Sequence, residues 1–177
     1  MTGTDLGRVN AADQAVAVEA LAPLFEGAPR FLARLVAARP FADWEELFRR
    51  AREIARGMPE TEQIELIDAH PRLGAPPSTV SSLSFREQGY DRVAGEVGDA
   101  ADVEGDGVAS ELERLNAAYE ARFGFRYCVN VAGRPRAALL PQMDSALWLD
   151  RDVELHRALE AVVDIAMARL EALASKG

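Results

Sequence analysis

The sequence predicts an all-α protein, with a single compact multi-helix domain over residues 1–177 and one short extended segment near 123–131. Apolar residues recur at spacings of three and four through both halves of the chain, as on the buried face of amphipathic helices. Gly and Pro separate these stretches at the lengths of short helices. A period-two pattern, typical of a strand, occurs convincingly in one place only.

The first half is predicted to hold four short helices after a flexible N-terminus at residues 1–10. Their spans are 11–26, 28–39, a helix from the Asp43 cap to Gly57, and 59–69. Gly27 and Pro40 end the first two helices. Because the residue before a proline disfavours helix, Pro71 ends the fourth at about His70.

The second half begins with a long loop at 71–83, rich in Pro, Gly and Ser. A helix is predicted from Ser84 towards Gly98, followed by an acidic, glycine-bearing connection at 98–107. The remaining predicted helices span 108–122, 137–149 and 152–174. Between them every odd position from 123 to 131 is aromatic or β-branched, and the RAALL stretch at 136–140 offers a hairpin partner across the AGRP turn.

Composition excludes several classes of function. The formal net charge is −9, and an acidic surface repels phosphate backbones and anionic lipids, so neither nucleic acid nor membrane is an expected partner. One cysteine, Cys128, and two histidines leave no basis for a disulfide or a Cys/His metal site. The N-terminus shows no secretory pattern, and no apolar run is long enough to span a membrane, so we expect a cytoplasmic protein.

His70 is a candidate acid or base, since it lies where a helix meets the Pro-Gly loop and only imidazole has an ordinary pKa near neutrality. A helix-end cap is the alternative role. His156 lies in a regular helix and is expected on the surface. Ser84 and Glu87 match a capping box, which explains both structurally. With Gln88 they also place carboxylate and amide groups at a helix start.

Arg169 lies beside the apolar stripe of the last helix, where an arginine either extends outward over its stem or points into a cleft to bind a carboxylate. The extended segment raises a related question. A strand without a neighbour leaves main-chain N–H and C=O groups to be satisfied by a hairpin, by water or by an amide-rich heterocycle.

These motifs occur in an order that resembles one family. The pattern is His70-Pro-x-Leu-Gly74, Ser84-x-x-Glu-Gln88, Leu115-Asn-x-x-Tyr-x-x-x-Phe-Gly-Phe125, and a final helix with Arg169-Leu170. It resembles the 2-oxo-4-hydroxy-4-carboxy-5-ureidoimidazoline (OHCU) decarboxylases, over residues 15–171. Each motif alone is weak, whereas their conjunction at these spacings is specific.

The resemblance implies an all-α homodimer that uses neither metal nor organic cofactor and releases CO2 from a small ureide to form (S)-allantoin in urate breakdown. By motif position, His70 is the implied acid/base catalyst, with Glu87 and Arg169 as its partners. Further positions are implied to bind substrate, the last five through their main chain: Pro71, Ser84, Phe85, Arg86, Gln88, Tyr127, Cys128, Val129, Asn130 and Val131.

Two departures from the family pattern concern the mouth of the predicted pocket. The stretch after the His-Pro motif reads Gly-Ala-Pro-Pro-Ser-Thr at 74–79, where many members carry a lysine, and Arg126 follows the Phe-Gly-Phe motif where proline is common. Two alternatives therefore stay open: a non-catalytic helical protein that binds ureides or acts in interactions, and a paralogue that hydrolyses a related ureide.

Overall fold

The computed structural model describes residues 5–93 and 106–175, and the regular secondary structure in these ranges is helical, without strands. The all-α class is therefore confirmed. Part of the acidic connection predicted at 98–107, and the predicted helix end near Gly98, lie outside the described residues. The helices of the first half are α1 (Leu6–Ala11), α2 (Gln14–Leu21), α3 (Pro29–Ala37), α4 (Trp44–Gly57) and α5 (Glu60–Asp68). Those of the second half are α6 (Ser82–Glu87), α7 (Tyr90–Val93), α8 (Asp106–Phe123), α9 (Leu140–Ala146) and α10 (Arg151–Ala174).

The chain divides into two compact units, the first formed by 1–70 with 156–177 and the second by 71–155. The core of the first unit follows the predicted apolar spacing. Its fully buried residues include Leu32 and Leu35 of α3, Leu47 and Ala51 of α4, and Ala158, Val162 and Ala166 of α10. None of the described helices is long and apolar enough to cross a membrane.

Helix starts and stops in the first unit agree with the sequence. The Asp43 carboxylate accepts a hydrogen bond from Glu46 N at 2.8 Å, which caps α4 as predicted. The flexible N-terminus predicted for 1–10 is corrected over 6–10, because these residues belong to α1. There the Asn10 amide donates to Phe41 O at 2.8 Å and accepts from Phe41 N at 3.0 Å. The helix is thus fixed by hydrogen bonds between Asn10 and the main chain of Phe41. The local sequence pattern does not indicate a contact over this distance along the chain.

The start of α6 differs from the prediction. Its cap is Ser81, whose hydroxyl accepts from Ser84 N at 3.2 Å, so the capping box assigned to Ser84 and Glu87 is wrong. Ser84 instead lies inside the helix and is buried. The helix ends at Glu87, and Gly89, with φ of 78°, separates it from α7. Serines at 81, 82 and 84 are equivalent candidates by local chemistry, so tertiary burial selects among them.

The segment after α8 is neither helix nor strand. Phe123, Phe125 and Tyr127 are buried as the period-two pattern predicts, but Cys128 is buried as well and the alternation ends there. The hairpin alternative is wrong, because Arg136–Leu139 forms a 3₁₀ helix. The alternating side chains thus reflect burial against an aromatic cluster, with ring centroids of Phe123 and Tyr127 at 4.5 and 5.1 Å from that of Tyr119.

The first turn of α10 holds this segment within the second unit. Arg151 donates from Nε to Phe123 O at 3.0 Å, and its guanidinium lies 5.7 Å from the Phe125 ring centroid. The Tyr119 hydroxyl donates to the fully buried Glu154 carboxylate at 2.6 Å. Hydrogen bonds to a charged partner are stronger than neutral ones. The segment is therefore fixed by side chains of two helices in place of a strand ladder.

Candidate active site

His70 follows the end of α5 and is 4% exposed. Its Nδ1 lies 3.3 Å from Leu66 O. A carbonyl oxygen only accepts, so this hydrogen bond requires the proton on Nδ1 and leaves the lone pair on Nε2. The surface position predicted for His156 is confirmed, since its side chain is exposed on α10.

The imidazole of His70 is held neutral by its surroundings. Its pKa is lowered to about 4, chiefly by burial and next by the Arg169 guanidinium, while the Glu26 carboxylate and Leu66 O oppose this change. Burial disfavours the charged form of a histidine, and a neighbouring cation does the same. At neutral pH this group can therefore accept a proton at Nε2, and it can act as an acid at that nitrogen only after it has taken one up.

Arg169 points inward from α10 and is among the largest fully buried side chains. Its Nη2 donates to Glu26 Oε1 at 2.7 Å and its Nη1 to Pro23 O at 2.9 Å, with side chains of Arg169 and Glu26 only 1% and 11% exposed. Of the two orientations left open by the sequence, the outward one is therefore wrong, and the inward guanidinium binds a carboxylate of the chain itself. Glu26 was missed, because it lies 143 residues from its partner and nothing in its neighbourhood indicates a buried carboxylate.

The loop after His70 is fixed by three side chains of the second unit. Gln88 accepts from Gly74 N at 2.8 Å and donates to Arg72 O at 3.2 Å, so both ends of its amide bind loop main chain. Asn116 donates to Leu73 O at 3.0 Å. Arg72 binds Glu120 with two N–H groups. The Gln88 amide predicted to line the substrate pocket thus positions the loop.

Gly74 makes this loop conformation possible. Its φ is 81°, and a Cβ there would lie 3.0 Å from Leu112 Cδ1. We expect Gly74→Ala to lower the free energy of unfolding by roughly 1–3 kcal/mol, because it adds both backbone strain and a close contact. Chemical denaturation measures this. Gly57→Ala is the control, since its Cβ meets nothing within 4 Å. Equal stabilities of the two variants would contradict this account of the loop.

The remaining α6 residues of the predicted site differ in exposure. Ser84 is buried, Phe85 and Glu87 are half-buried, and Arg86 is exposed. The Phe85 ring packs on Tyr90, with centroids 5.4 Å apart. Glu87 belongs to the second unit, whereas His70 and Arg169 belong to the first. That Glu87 works with them stays a prediction.

The main chain of residues 127–131, predicted to bind substrate, already has hydrogen-bond partners at its C-terminal end. Arg134 donates to Asn130 O at 2.7 Å, and Val131 O accepts from both N and Nε of Arg134 at 3.0 and 3.1 Å. The Asn130 side chain accepts from Ala132 N at 3.1 Å. These carbonyls are thus engaged by the turn that follows them. The predicted substrate contacts of this segment are thereby limited to its N–H groups and to residues 127–129.

A cleft of about 700 Å³ in the second unit is lined by the 71–76 loop, Thr79, α8 and Arg126. Both departures from the family pattern, at 74–79 and at Arg126, therefore concern one cleft. Its wall includes Asn116, whose Oδ1 is buried and has no hydrogen-bond partner among residues 5–93 and 106–175. Within those same ranges, no three His, Cys, Asp or Glu side chains cluster as metal ligands.

By fold and site, this is a helical protein whose buried neutral histidine, acted on by an arginine–glutamate pair, is suited to proton transfer. The comparisons with known proteins agree with this class. The chain belongs to the OHCU decarboxylase family, whose model matches residues 10–171.

Relatives and a solved structure support the family assignment. The chain is 31% identical over 162 residues to the uric acid degradation bifunctional protein PucL of Bacillus subtilis, covering 92% of this chain but only 31% of PucL. It is 27% identical over 169 residues to the OHCU decarboxylase of Haloferax volcanii, with 93% of each covered. The crystal structure of an OHCU decarboxylase in the presence of (S)-allantoin matches with a TM-score of 0.63 at 25% identity, over 84% of this chain and 93% of that one.

Proposed function

We propose that this protein decarboxylates 2-oxo-4-hydroxy-4-carboxy-5-ureidoimidazoline to (S)-allantoin. Family membership supports the reaction class, and similar proteins carry the decarboxylase name. The observation that carries the proposal is the buried His70 imidazole, which is neutral at physiological pH and acted on by Arg169 and Glu26. Strongly perturbed pKa values cluster at functional sites, which supports a catalytic role for this residue over a pocket that only binds.

The proposed chemistry uses the substrate as its own electron sink. The bond between the ring carbon and the carboxylate breaks, CO2 leaves, and the electron pair moves through the ring to the nitrogen of the adjacent C=N bond. The hydroxyl on the same carbon loses its proton, and the neighbouring ring carbon gains one. A further proton from solvent goes to the ring nitrogen that received the electron pair. This scheme assigns the protein two tasks, orientation and proton transfer, and draws on no cofactor.

We assign the first proton transfer to His70. A neutral imidazole takes the hydroxyl proton at the nitrogen that carries the lone pair. The imidazolium formed in this way is then an acid that can protonate the ring carbon on one face. A positioned acid/base group of this kind contributes about 10²–10⁴-fold to a rate. Arg169 is proposed to bind an oxygen-rich edge of the substrate.

Glu87 is proposed as a further catalytic partner, and the residues assigned from the resemblance as substrate-binding stay proposals. Main-chain N–H groups of the segment around Tyr127 to Val131 would stabilise charge developing on the ring. Pro71, Ser84 and Phe85 are proposed to contact the substrate as well, while Arg86, which is exposed, is the weakest member of the set. A homodimer and a cytoplasmic location are further proposals. Sedimentation of a single 19.2 kDa chain would contradict the dimer.

The test of the function is to generate the unstable substrate from urate in the cuvette and to follow CO2 release and the circular dichroism of allantoin. We expect faster CO2 release and a single enantiomer when the protein is present. An unchanged rate would contradict the proposal and favour a ureide-binding protein. Release of ammonia in place of CO2 would instead indicate hydrolysis.

A related ureide is the second candidate substrate. It is favoured by the finding that Arg126 and the 74–79 stretch, which both depart from the family pattern, line one cleft. An added guanidinium changes which anions that cleft accepts. Turnover of a ureide other than the proposed substrate, lost in Arg126→Pro, would support this candidate.

A further inference from the structure

Glu26 occupies a backbone position at which glycine would be expected. It follows the 3₁₀ helix Ala22–Phe25 with φ of 50° and ψ of 28°, in the left-handed region. An L-residue there costs on the order of 1 kcal/mol or more, whereas glycine has no such penalty. The turn itself therefore does not favour glutamate. The carboxylate must contribute something that the turn does not need.

The contacts of this turn show what the carboxylate does. Together with Pro23 O it holds two nitrogens of the Arg169 guanidinium, at 2.7 and 2.9 Å. Because the guanidinium is planar, two fixed nitrogens set the orientation of the whole group. The left-handed conformation of Glu26 brings its side chain to the same guanidinium that Pro23 O binds. One short turn thus sets both the position and the charge balance of Arg169.

The charges of Arg169 and Glu26 affect the protonation of His70. Arg169 and Glu26 act on the imidazole with opposite sign, the cation opposing protonation and the anion favouring it. If His70 takes up a proton during the reaction, an imidazolium forms near a buried guanidinium. Charges interact strongly where water is excluded. Without Glu26, that intermediate would face an unbalanced positive charge.

We propose that Glu26 is a positioning residue for the reaction, which orients the Arg169 guanidinium and offsets its charge while the imidazole of His70 is protonated. This inference rests on the proposed function. A purely structural role, in which Glu26 merely neutralises a buried arginine, is the competing explanation. Both explanations predict a loss of stability on removing the side chain, so stability cannot separate them.

Glu26→Gln separates them, because it keeps the size and the acceptor oxygen but removes the charge. We expect kcat to fall by about 10- to 100-fold, equivalent to one to two steps of 1.4 kcal/mol, with little change in KM. The acid limb of the kcat/KM profile should move to lower pH, since the imidazole loses its stabilising anion. Glu26→Asp, which restores the charge on a shorter side chain, should return the limb towards its original position.

Glu62→Gln is the matched control, since Glu62 pairs with Arg34 on the surface of the same unit. We expect it to leave kcat and the profile unchanged. An unchanged kcat in Glu26→Gln, or a lower kcat with an unmoved acid limb, overturns the proposal. The His70 titration, followed by NMR in wild type and Glu26→Gln, adds a readout independent of turnover. A lower midpoint in the variant supports the charge role even if the proposed substrate proves wrong, and an equal midpoint overturns it.

Discussion

Replacing His70 with asparagine should lower the rate of enzyme-dependent CO2 release by about 10²–10⁴-fold, the usual contribution of a positioned acid/base group. The asparagine amide can still donate to Leu66 O, which the Nδ1 of His70 approaches to 3.3 Å. The fold should therefore survive while the lone pair that accepts the proton is lost. Steady-state decarboxylation of the substrate generated from urate measures the effect.

His156→Asn is the control for this variant. The chain has two histidines, and His156 is exposed on α10, so its loss should leave turnover unchanged. Circular dichroism spectra of both variants establish that each is folded. Turnover of His70→Asn within a factor of two or so of wild type would remove this residue from the mechanism, whatever the outcome for the other proposed groups.

Arg169→Met is expected to produce the largest loss of stability, about 3–5 kcal/mol, which is the usual cost of breaking a buried ion pair. Methionine fills much of the volume of the arginine stem, so the loss of packing is small. The Glu26 carboxylate, 11% exposed, loses its partner, and Pro23 O loses its donor. Urea denaturation gives the free energy of unfolding. The pKa of His70 should rise at the same time, because the neighbouring cation is gone.

Arg34→Met is the matched control. Arg34 also pairs with a glutamate, Glu62, but its side chain is 48% exposed. Pairs of exposed ions contribute little, since water and salt screen them. We expect the stability of this variant to be close to that of wild type. If the two arginine variants lose the same stability, the ion pair of Arg169 has no special role in this fold.

The sequence predicted the fold class and most helix boundaries because those depend on local chemistry. Asp43 caps α4 and Gly57 ends it, as the capping rules require. Where several neighbouring residues could each cap a helix, the local pattern does not show which of them is the cap. Ser81 rather than Ser84 caps α6, since the buried Ser84 is turned to the interior of its unit.

The absent strand has a different cause. An alternating pattern reports which side chains are buried, and a strand additionally requires a partner for its main chain. Here the aromatic cluster around Tyr119 provides the burial, while Arg134 and Arg151 bind main-chain carbonyls. Arginine side chains thus bind carbonyls that a neighbouring strand would otherwise bind, and the periodicity of the segment does not indicate such contacts.

The candidate site was predictable only in part. His70 stood out by chemistry and position, and Arg169 by its place beside an apolar stripe. Glu26 was not predictable, because a carboxylate before a glycine at a helix end is ordinary, and its importance arises from a contact made 143 residues along the chain. Sequence reasoning finds residues whose role is local and misses those whose role is set by long-range pairing.

The most direct test of the account is the NMR titration of the His70 imidazole in a His156→Asn variant, in which the remaining imidazole signals belong to His70 alone. The account predicts a midpoint near pH 4, with the ring neutral at physiological pH and Nδ1 carrying its proton. A midpoint at or above the ordinary value of about 6.5 would contradict it. It would show a solvated imidazole, partly protonated near neutral pH, in place of a buried base.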